Sequence, residues 1–203
     1  KIQADRFANA VIRGFHTELE TVYEEKNMSL TKDFSKALET LDGMLFPDHP
    51  YGQQTVLGTQ EHLKNPSIIN IKNYYKKYYV PNNMAICLSG DFNPDEVVAI
   101  IEKYFGGMQP NEELTDLTLK TEFKLEAPIE KDVYGLDAEN IMMGWKYPGA
   151  TSDDAIVAEV ASSVLYNGTA GLIDLNINQQ QKVLSAYGMS YSRPDAGEFI
   201  IMA

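Results

Sequence analysis

The chain has 203 residues, of which 44% are hydrophobic and 23% charged, and its formal net charge is −12. This composition is typical of a soluble globular protein with one large domain or two small ones. An acidic chain lacks the basic surface that neutralises phosphates, so we expect neither nucleic acid nor an anionic membrane as a partner. No apolar run approaches the ~20 residues of a membrane span.

Helical periodicity dominates the first part of the chain. Apolar residues recur every three or four positions over residues 5–27, and a second helix is predicted between Ser29 and Pro47. A long irregular connection then follows, FPDHPYGQQTVLGTQEHL, of the kind that often carries function. Its glycines, Gly52 among them, are interpreted as setting backbone geometry.

Capping residues mark the next two helices. Ser67 opens a helix through IINIKNYYKKYY, and Asn93 is the predicted N-cap of a helix that ends near Phe105. Between them NMAICLSGDF reads as a strand ending at Gly90. The single cysteine, Cys87, is predicted to be a small buried hydrophobic residue of this strand.

The pattern restarts after a polar linker at residues 107–121. Strands are predicted at EFKLEA, EKDVYG and ENIMMGWKY, a helix begins at Ser152, and VLSAYGMSYS and GEFIIMA form a final strand pair. Because short turns join the paired strands, we predict an α+β fold with a mixed, mostly antiparallel sheet rather than a doubly wound parallel one.

The stretch ELETVYEEKN, residues 18–27, carries the candidate metal chemistry. On a helix Glu18 and Glu25 share a face but lie ~10.5 Å apart along the axis, so both cannot bind one ion directly. One could bind the ion while the other supports the site through an intermediate partner. An ordinary solvated charged face is the alternative. His16 and Glu20 are interpreted as a surface pair.

Four stretches in this order resemble the insulinase/pitrilysin family of zinc metallopeptidases, the M16 inverzincins: ELETVYEEKN, FPDHPYGQQTVLGTQEHLKN, YYKKYYVPNNMAICLSGDFNPDEV and IIEKYFG. The part from ENIMMGWKYPG to GEFIIMA resembles more loosely the second, non-catalytic domain of that family. The resemblance implies the α+β M16 metallohydrolase fold. It also implies that residues 1–119 are the C-terminal half of the catalytic domain, and 120–203 the N-terminal half of the following domain.

The resemblance also implies a zinc site. In the family two histidines of an HxxEH motif bind zinc, and the glutamate of that motif is the general base. A pattern like ExxxVxxE supplies the third ligand, and Glu18, Val22 and Glu25 match it. Glu25 then takes the zinc-ligand position and Glu18 that of the accompanying acid. HxxEH is absent from these residues, so the base is expected upstream, and the chain alone is expected to be inactive and to retain no zinc.

The resemblance to the family also has an implication for substrate binding. Many members of the family grip peptides with an arginine and a tyrosine seven residues apart. QQKVLSAY matches this segment, with Tyr187 at the tyrosine position and the uncharged Gln180 at the arginine position. Tyr187 reads equally well as a packed strand aromatic.

Three functions are left open by the sequence. The first is a part of a zinc metalloendopeptidase acting on peptides or small proteins, which the intact ExxxVxxE favours. The others are an inactive homologue serving as a scaffold or partner subunit, and a module that binds extended peptides by strand addition. The ends, KIQADRF and GEFIIMA, suggest a fragment whose exposed strand edges promote self-association. A signal peptide would lie outside it, and the compartment is not predicted.

Overall fold

The computed structural model describes residues 1–115, 119, 121 and 127–203. The chain forms two compact units, one made of Lys1–Tyr23 with Glu61–Leu117 and the other of Glu24–Gln60 with Thr118–Ala203. We call them the first and the second unit. Within the described ranges no helix is long and apolar enough to cross a membrane. The predicted strand EFKLEA lies outside the described residues apart from its last residue.

Helices outnumber strands in the described part of the chain. The helices are α1 (Ile2–Ala8), α2 (Phe15–Leu30), α3 (Asp33–Leu45), α4 (Pro50–Gln53), α5 (Gln60–Lys64), α6 (Ile68–Tyr78), α7 (Pro94–Phe105) and α8 (Asp153–Leu165). The strands are β1 (Met142–Pro148), β2 (Tyr187–Ser192) and β3 (Ala196–Met202), and a π-helical turn covers Asp174–Asn178. The mixture of helices with an antiparallel sheet confirms the predicted α+β class.

Local capping chemistry explains where the predicted helices begin. The Ser67 hydroxyl accepts from the Asn70 amide at 3.3 Å, and the Asn93 side chain accepts from the Asp95 amide at 2.9 Å. Ser152 caps α8 in the same way. Each cap satisfies an amide that the first turn leaves without a partner. The single helix predicted over residues 5–27 is wrong, because residues 9–14 are not helical and separate α1 from α2. Gly14, the last of them, has φ 64°.

The predicted strand at NMAICLSGDF is not formed within the described residues. Residues 84–89 have no regular secondary structure, and Ile86 and Leu88 are 45% and 56% exposed. Cys87 is also exposed, so its predicted burial is wrong. A strand needs a hydrogen-bonding neighbour as well as apolar residues, and this segment has none there. EKDVYG likewise forms no strand.

The first unit is helical in its described part. Helix α1 contacts α7, and the Tyr75 hydroxyl of α6 donates to the carbonyl of Phe7 at 3.2 Å. Asn82 and Asn111 exchange two hydrogen bonds of 2.8 and 3.0 Å, which tie the chain after α6 to the chain after α7. These bonds satisfy backbone groups that no strand partner reaches.

The second unit is built on an antiparallel sheet with the order β1-β3-β2. In its register Glu198 of β3 lies opposite Lys146 of β1 and Tyr191 of β2. Because successive side chains point to opposite faces, Ile200 and Met202 share the face of Glu198, while Phe199 points to the other.

Helices cover both faces of this sheet. On the face of Ile200, Leu41 and Leu45 of α3 form a core with Phe46 and Met202. Gly144 allows this approach, since a Cβ there would meet Leu41 Cδ1 at 2.9 Å. On the other face α8 contacts all three strands, and Ala155 and Ala158 pack with Tyr147 and Phe199. The second unit is therefore a helix–sheet–helix arrangement in its described part.

Candidate functional site

The acidic stretch predicted to carry a metal ligand lies on α2. Glu18 and Glu25 are both exposed, and neither carboxylate takes part in a hydrogen bond or ion pair within the described residues. An unpaired carboxylate oxygen can coordinate zinc as a ligand. Glu25 therefore fits one ligand position, and its assignment as a zinc ligand stays a prediction, as does the supporting role of Glu18.

The described residues do not complete a zinc site. No group of three His, Cys, Asp or Glu residues in the described ranges could hold a metal ion. His16 is exposed beside Phe15, with 5.4 Å between the ring centroids. Zinc sites in proteins use three or four such ligands together. The side chains in the described ranges are thus compatible with one ligand of a zinc site, and they do not form the whole site.

The two predicted substrate-binding residues differ in their burial and in their hydrogen-bond partners. Tyr187 is half-buried against the core of the second unit, and its hydroxyl donates to Met202 Sδ at 3.1 Å. Gln180 is exposed, and its side-chain amide donates to the carbonyl of Leu175 at 3.4 Å. No hydrogen bond joins the two side chains within the described part of the chain. Their role in gripping a peptide stays a prediction.

The HPYG segment forms a buried polar junction in the second unit. His49 is 1% exposed, and its Nδ1 accepts from the Tyr51 amide at 3.1 Å at the start of α4. Its Nε2 lies 3.8 Å from an Asp195 carboxylate oxygen, to which the Tyr51 hydroxyl donates at 3.2 Å. The junction therefore joins α4 to the turn between β2 and β3. Burial raises the pKa of Tyr51 and keeps its hydroxyl protonated as the donor.

Arg193 extends this junction to a pair of carboxyl groups. Its guanidinium lies 4.3 Å from the centre of the Tyr51 ring and donates to Glu198 at 2.6 Å and Asp42 at 3.4 Å. Glu198 is 3% exposed. Burial, followed by the hydrogen bond and charge of Asp42, raises the pKa of Glu198 to about 8. One guanidinium thus faces two carboxyl groups that retain one proton at neutral pH.

One feature of β3 indicates this junction from the amino-acid sequence. Glu198 interrupts the otherwise apolar run of β3, at a position that points to the α3 core. A charged residue within an apolar strand predicts a buried partner, since an unpaired buried charge is costly. Arg193, five residues before Glu198, is a local candidate for this partner. Asp42 could not be inferred in the same way, because it lies 151 residues from Arg193 in the chain.

Comparisons with known proteins give a family match and several curated relatives. The family model described as the peptidase M16 inactive domain matches residues 69–203. Among curated proteins, the zinc protease PqqE of Helicobacter pylori is 23% identical over 164 residues, which are 76% of this chain and 36% of that protein. The chain therefore spans about a third of the length of this relative.

Solved structures share the fold. A protease from Helicobacter pylori has a TM-score of 0.79 at 21% identity, covering 96% of this chain and 48% of that one. A chain of complex III from Candida albicans has a TM-score of 0.76 at 20% identity, covering 98% of this chain and 48% of that one. At these identities the likeness shows the fold, and this chain spans about half of each of those chains.

Proposed function

Because the chain belongs to the M16 peptidase family, we propose that it is part of a zinc-dependent metalloendopeptidase and hydrolyses no peptide bond alone. The observation that carries the proposal is Glu25, an exposed and unpaired carboxylate in the ExxxVxxE pattern of α2. Relatives named as zinc proteases support the class of reaction. The absence of HxxEH from these 203 residues supports the inactivity of the chain by itself.

In this proposal each part of the chain has a limited role. Glu25 supplies one negatively charged oxygen ligand, and Glu18 supports the site from the same helix. In a complete ligand set that includes Glu25, zinc would supply a Lewis acid that lowers the pKa of water for peptide hydrolysis. One carboxylate is too few ligands for tight binding, so the chain alone retains no zinc. Both histidine ligands and the general base come from upstream residues.

The domain assignment and the substrate site are part of the same proposal. Residues 1–119 form the C-terminal half of the catalytic domain, and 120–203 begin the non-catalytic domain. The substrate is a peptide or small protein. Tyr187 offers the half-buried face of its aromatic ring, whereas Gln180 offers an exposed amide that can bond a peptide carbonyl but brings no charge.

The ligand assignment is tested by Glu25→Gln in the protein extended upstream to include HxxEH. We expect zinc affinity to fall at least about tenfold, because the amide removes the negative ligand charge. Zinc is measured by competition with a chromophoric chelator, and peptide hydrolysis is measured in parallel. Glu20→Gln, also on α2 and exposed, is the matched control and should bind zinc as wild type does. Unchanged zinc affinity in Glu25→Gln removes Glu25 from the site.

A scaffold or partner subunit is the second candidate function. It is favoured by the structural likeness to a chain of complex III, which is not named as a protease. The residues encoded upstream of Lys1 discriminate between the two. An intact HxxEH there supports the enzyme, and a degenerate motif supports the scaffold.

The exposed edges of the sheet in the second unit predict self-association. In the order β1-β3-β2, β1 and β2 each have one edge without a neighbour in the described residues. Unpaired edge groups are templates for strand addition. Light scattering of the isolated chain should give a mass that rises with concentration from about the 22.7 kDa of one chain. A constant monomer mass across a wide concentration range would contradict this prediction.

A further inference from the structure

Lys26 is the buried residue of an otherwise accessible helix. On α2 its side chain is 5% exposed, whereas the preceding Glu24 and Glu25 are exposed. Its Nζ donates to a Glu39 carboxylate oxygen of α3 at 2.7 Å and to the Thr55 hydroxyl at 3.4 Å. A lysine is seldom buried unless it is paired, so these two acceptors explain its position.

The acceptors of Lys26 are themselves held in place. The Thr55 hydroxyl donates to the carbonyl of Gly58 at 3.1 Å, which leaves its lone pairs to accept from Lys26. Gly58 has φ 77°, a conformation that favours glycine, and its amide donates back to the carbonyl of Thr55 at 2.9 Å. Lys26 therefore meets a preformed turn rather than a loose side chain.

The next residue of the helix makes a second connection to the same segment. Asn27 accepts from the Gln60 side-chain amide at 2.6 Å. Two consecutive residues of α2 are thus fixed, one to α3 and the turn at Thr55, and the other to the start of α5. Together these bonds define the rotation of this end of the helix about its axis, because each residue advances the helix by ~100°.

We propose that Lys26 is the positioning residue for Glu25, holding α2 in the rotation that presents the Glu25 carboxylate to the metal. With the Lys26 side chain directed towards α3, Glu25, one residue earlier, is turned to the accessible side of the helix. This inference rests on the proposed zinc-ligand role of Glu25. Lys26 acts through the helix and touches neither metal nor substrate.

The test uses the protein extended upstream to include HxxEH. Lys26→Met keeps an unbranched side chain, shorter by one atom, and removes its charge and hydrogen bonds. We expect zinc affinity, measured by chelator competition below the unfolding transition, to weaken about tenfold. The visible absorption of the Co²⁺-substituted protein should change as well. Lys26→Arg should restore most of the affinity, because the guanidinium can still donate to Glu39 and Thr55.

Two controls distinguish a failure of the inference about Lys26 from a failure of the proposed function. Lys64→Met removes an exposed lysine and its 3.3 Å ion pair with Glu61 within α5, and should leave zinc affinity unchanged. Wild-type affinity in Lys26→Met, with reduced affinity in Glu25→Gln, overturns the inference and leaves the proposed function standing. Wild-type affinity in Glu25→Gln overturns both. If Lys26→Met does not fold, Thr55→Val replaces it, and unchanged zinc affinity in that variant also overturns the inference.

Discussion

Replacing Gly52 by alanine is expected to destabilise the second unit by about 3 kcal/mol. A Cβ at Gly52 would overlap the carbonyl oxygens of Asp42 and Phe46 and lie 2.8 Å from the Phe46 carbonyl carbon. These are backbone atoms at the end of α3, so relief requires moving α4 away from it. Such a shift would also disturb His49 and Tyr51, which lie in the same segment as Gly52.

Urea denaturation of the chain measures this effect. The only tryptophan of the sequence, Trp145, lies on β1, so its fluorescence reports the unfolding of the second unit. Gly43→Ala is a matched control, because Gly43 lies on α3 and a Cβ there would meet the Gly52 carbonyl oxygen at an ordinary 3.6 Å. That variant should be as stable as wild type or up to about 1 kcal/mol more stable, since alanine favours a helix interior. A Gly52→Ala variant as stable as Gly43→Ala would contradict the prediction.

The elements that the sequence predicts well are those whose signals are local. Ser67, Asn93 and Ser152 each cap a helix that begins one residue later, and the cap, the amide that it satisfies and the apolar stripe lie within a few residues. The strands β2 and β3 were also predictable, because a short turn joins two apolar runs. The strand prediction failed where strand pairing could not be foreseen from the sequence. NMAICLSGDF has the composition of a strand but no hydrogen-bonding neighbour in the described residues.

The candidate site was predictable only in part for a related reason. Spacing alone places Glu18 and Glu25 on one helix face, and only the family pattern distinguishes a ligand from a solvated acid. The junction around Arg193 depends on contacts such as that of Tyr51 with Asp195, which are 144 residues apart. No periodicity within one element encodes such a contact, because it forms only when the sheet and α3 pack together.

The second prediction with a large expected effect concerns the pH dependence of stability. The pKa of Glu198 is raised from 4.5 to about 8, first by burial and then by Asp42. Between these values the folded chain holds a proton that the unfolded chain releases. The stabilisation is complete below pH 4.5 and is lost as the pH rises towards 8. We expect the free energy of unfolding to fall by at least about 2 kcal/mol over this range.

Replacing Glu198 by glutamine should remove most of this pH dependence. The amide stays neutral, can accept from Arg193 as the carboxyl oxygen does at 2.6 Å, and can donate to Asp42 in place of the shared proton. The variant should therefore match wild type near pH 5 and exceed its stability at pH 8, where the buried Glu198 of wild type is about half ionised beside Asp42 and one guanidinium. Urea denaturation followed by Trp145 fluorescence at a series of pH values measures both curves.

Two further variants test whether Glu198 is the group that causes the pH dependence. Asp42→Asn should flatten the curve only in part, because burial, the larger cause, still raises the pKa of Glu198 when the charge of Asp42 is gone. Glu139→Gln removes an exposed carboxyl from the same unit and should retain the wild-type slope. Lys146 and Tyr191 lie opposite Glu198 in the sheet, and neither has a hydrogen bond to its carboxyl group in the described residues. A wild-type slope in Glu198→Gln would mean that the pH dependence arises elsewhere, and that Glu198 is ionised beside Arg193 throughout this range.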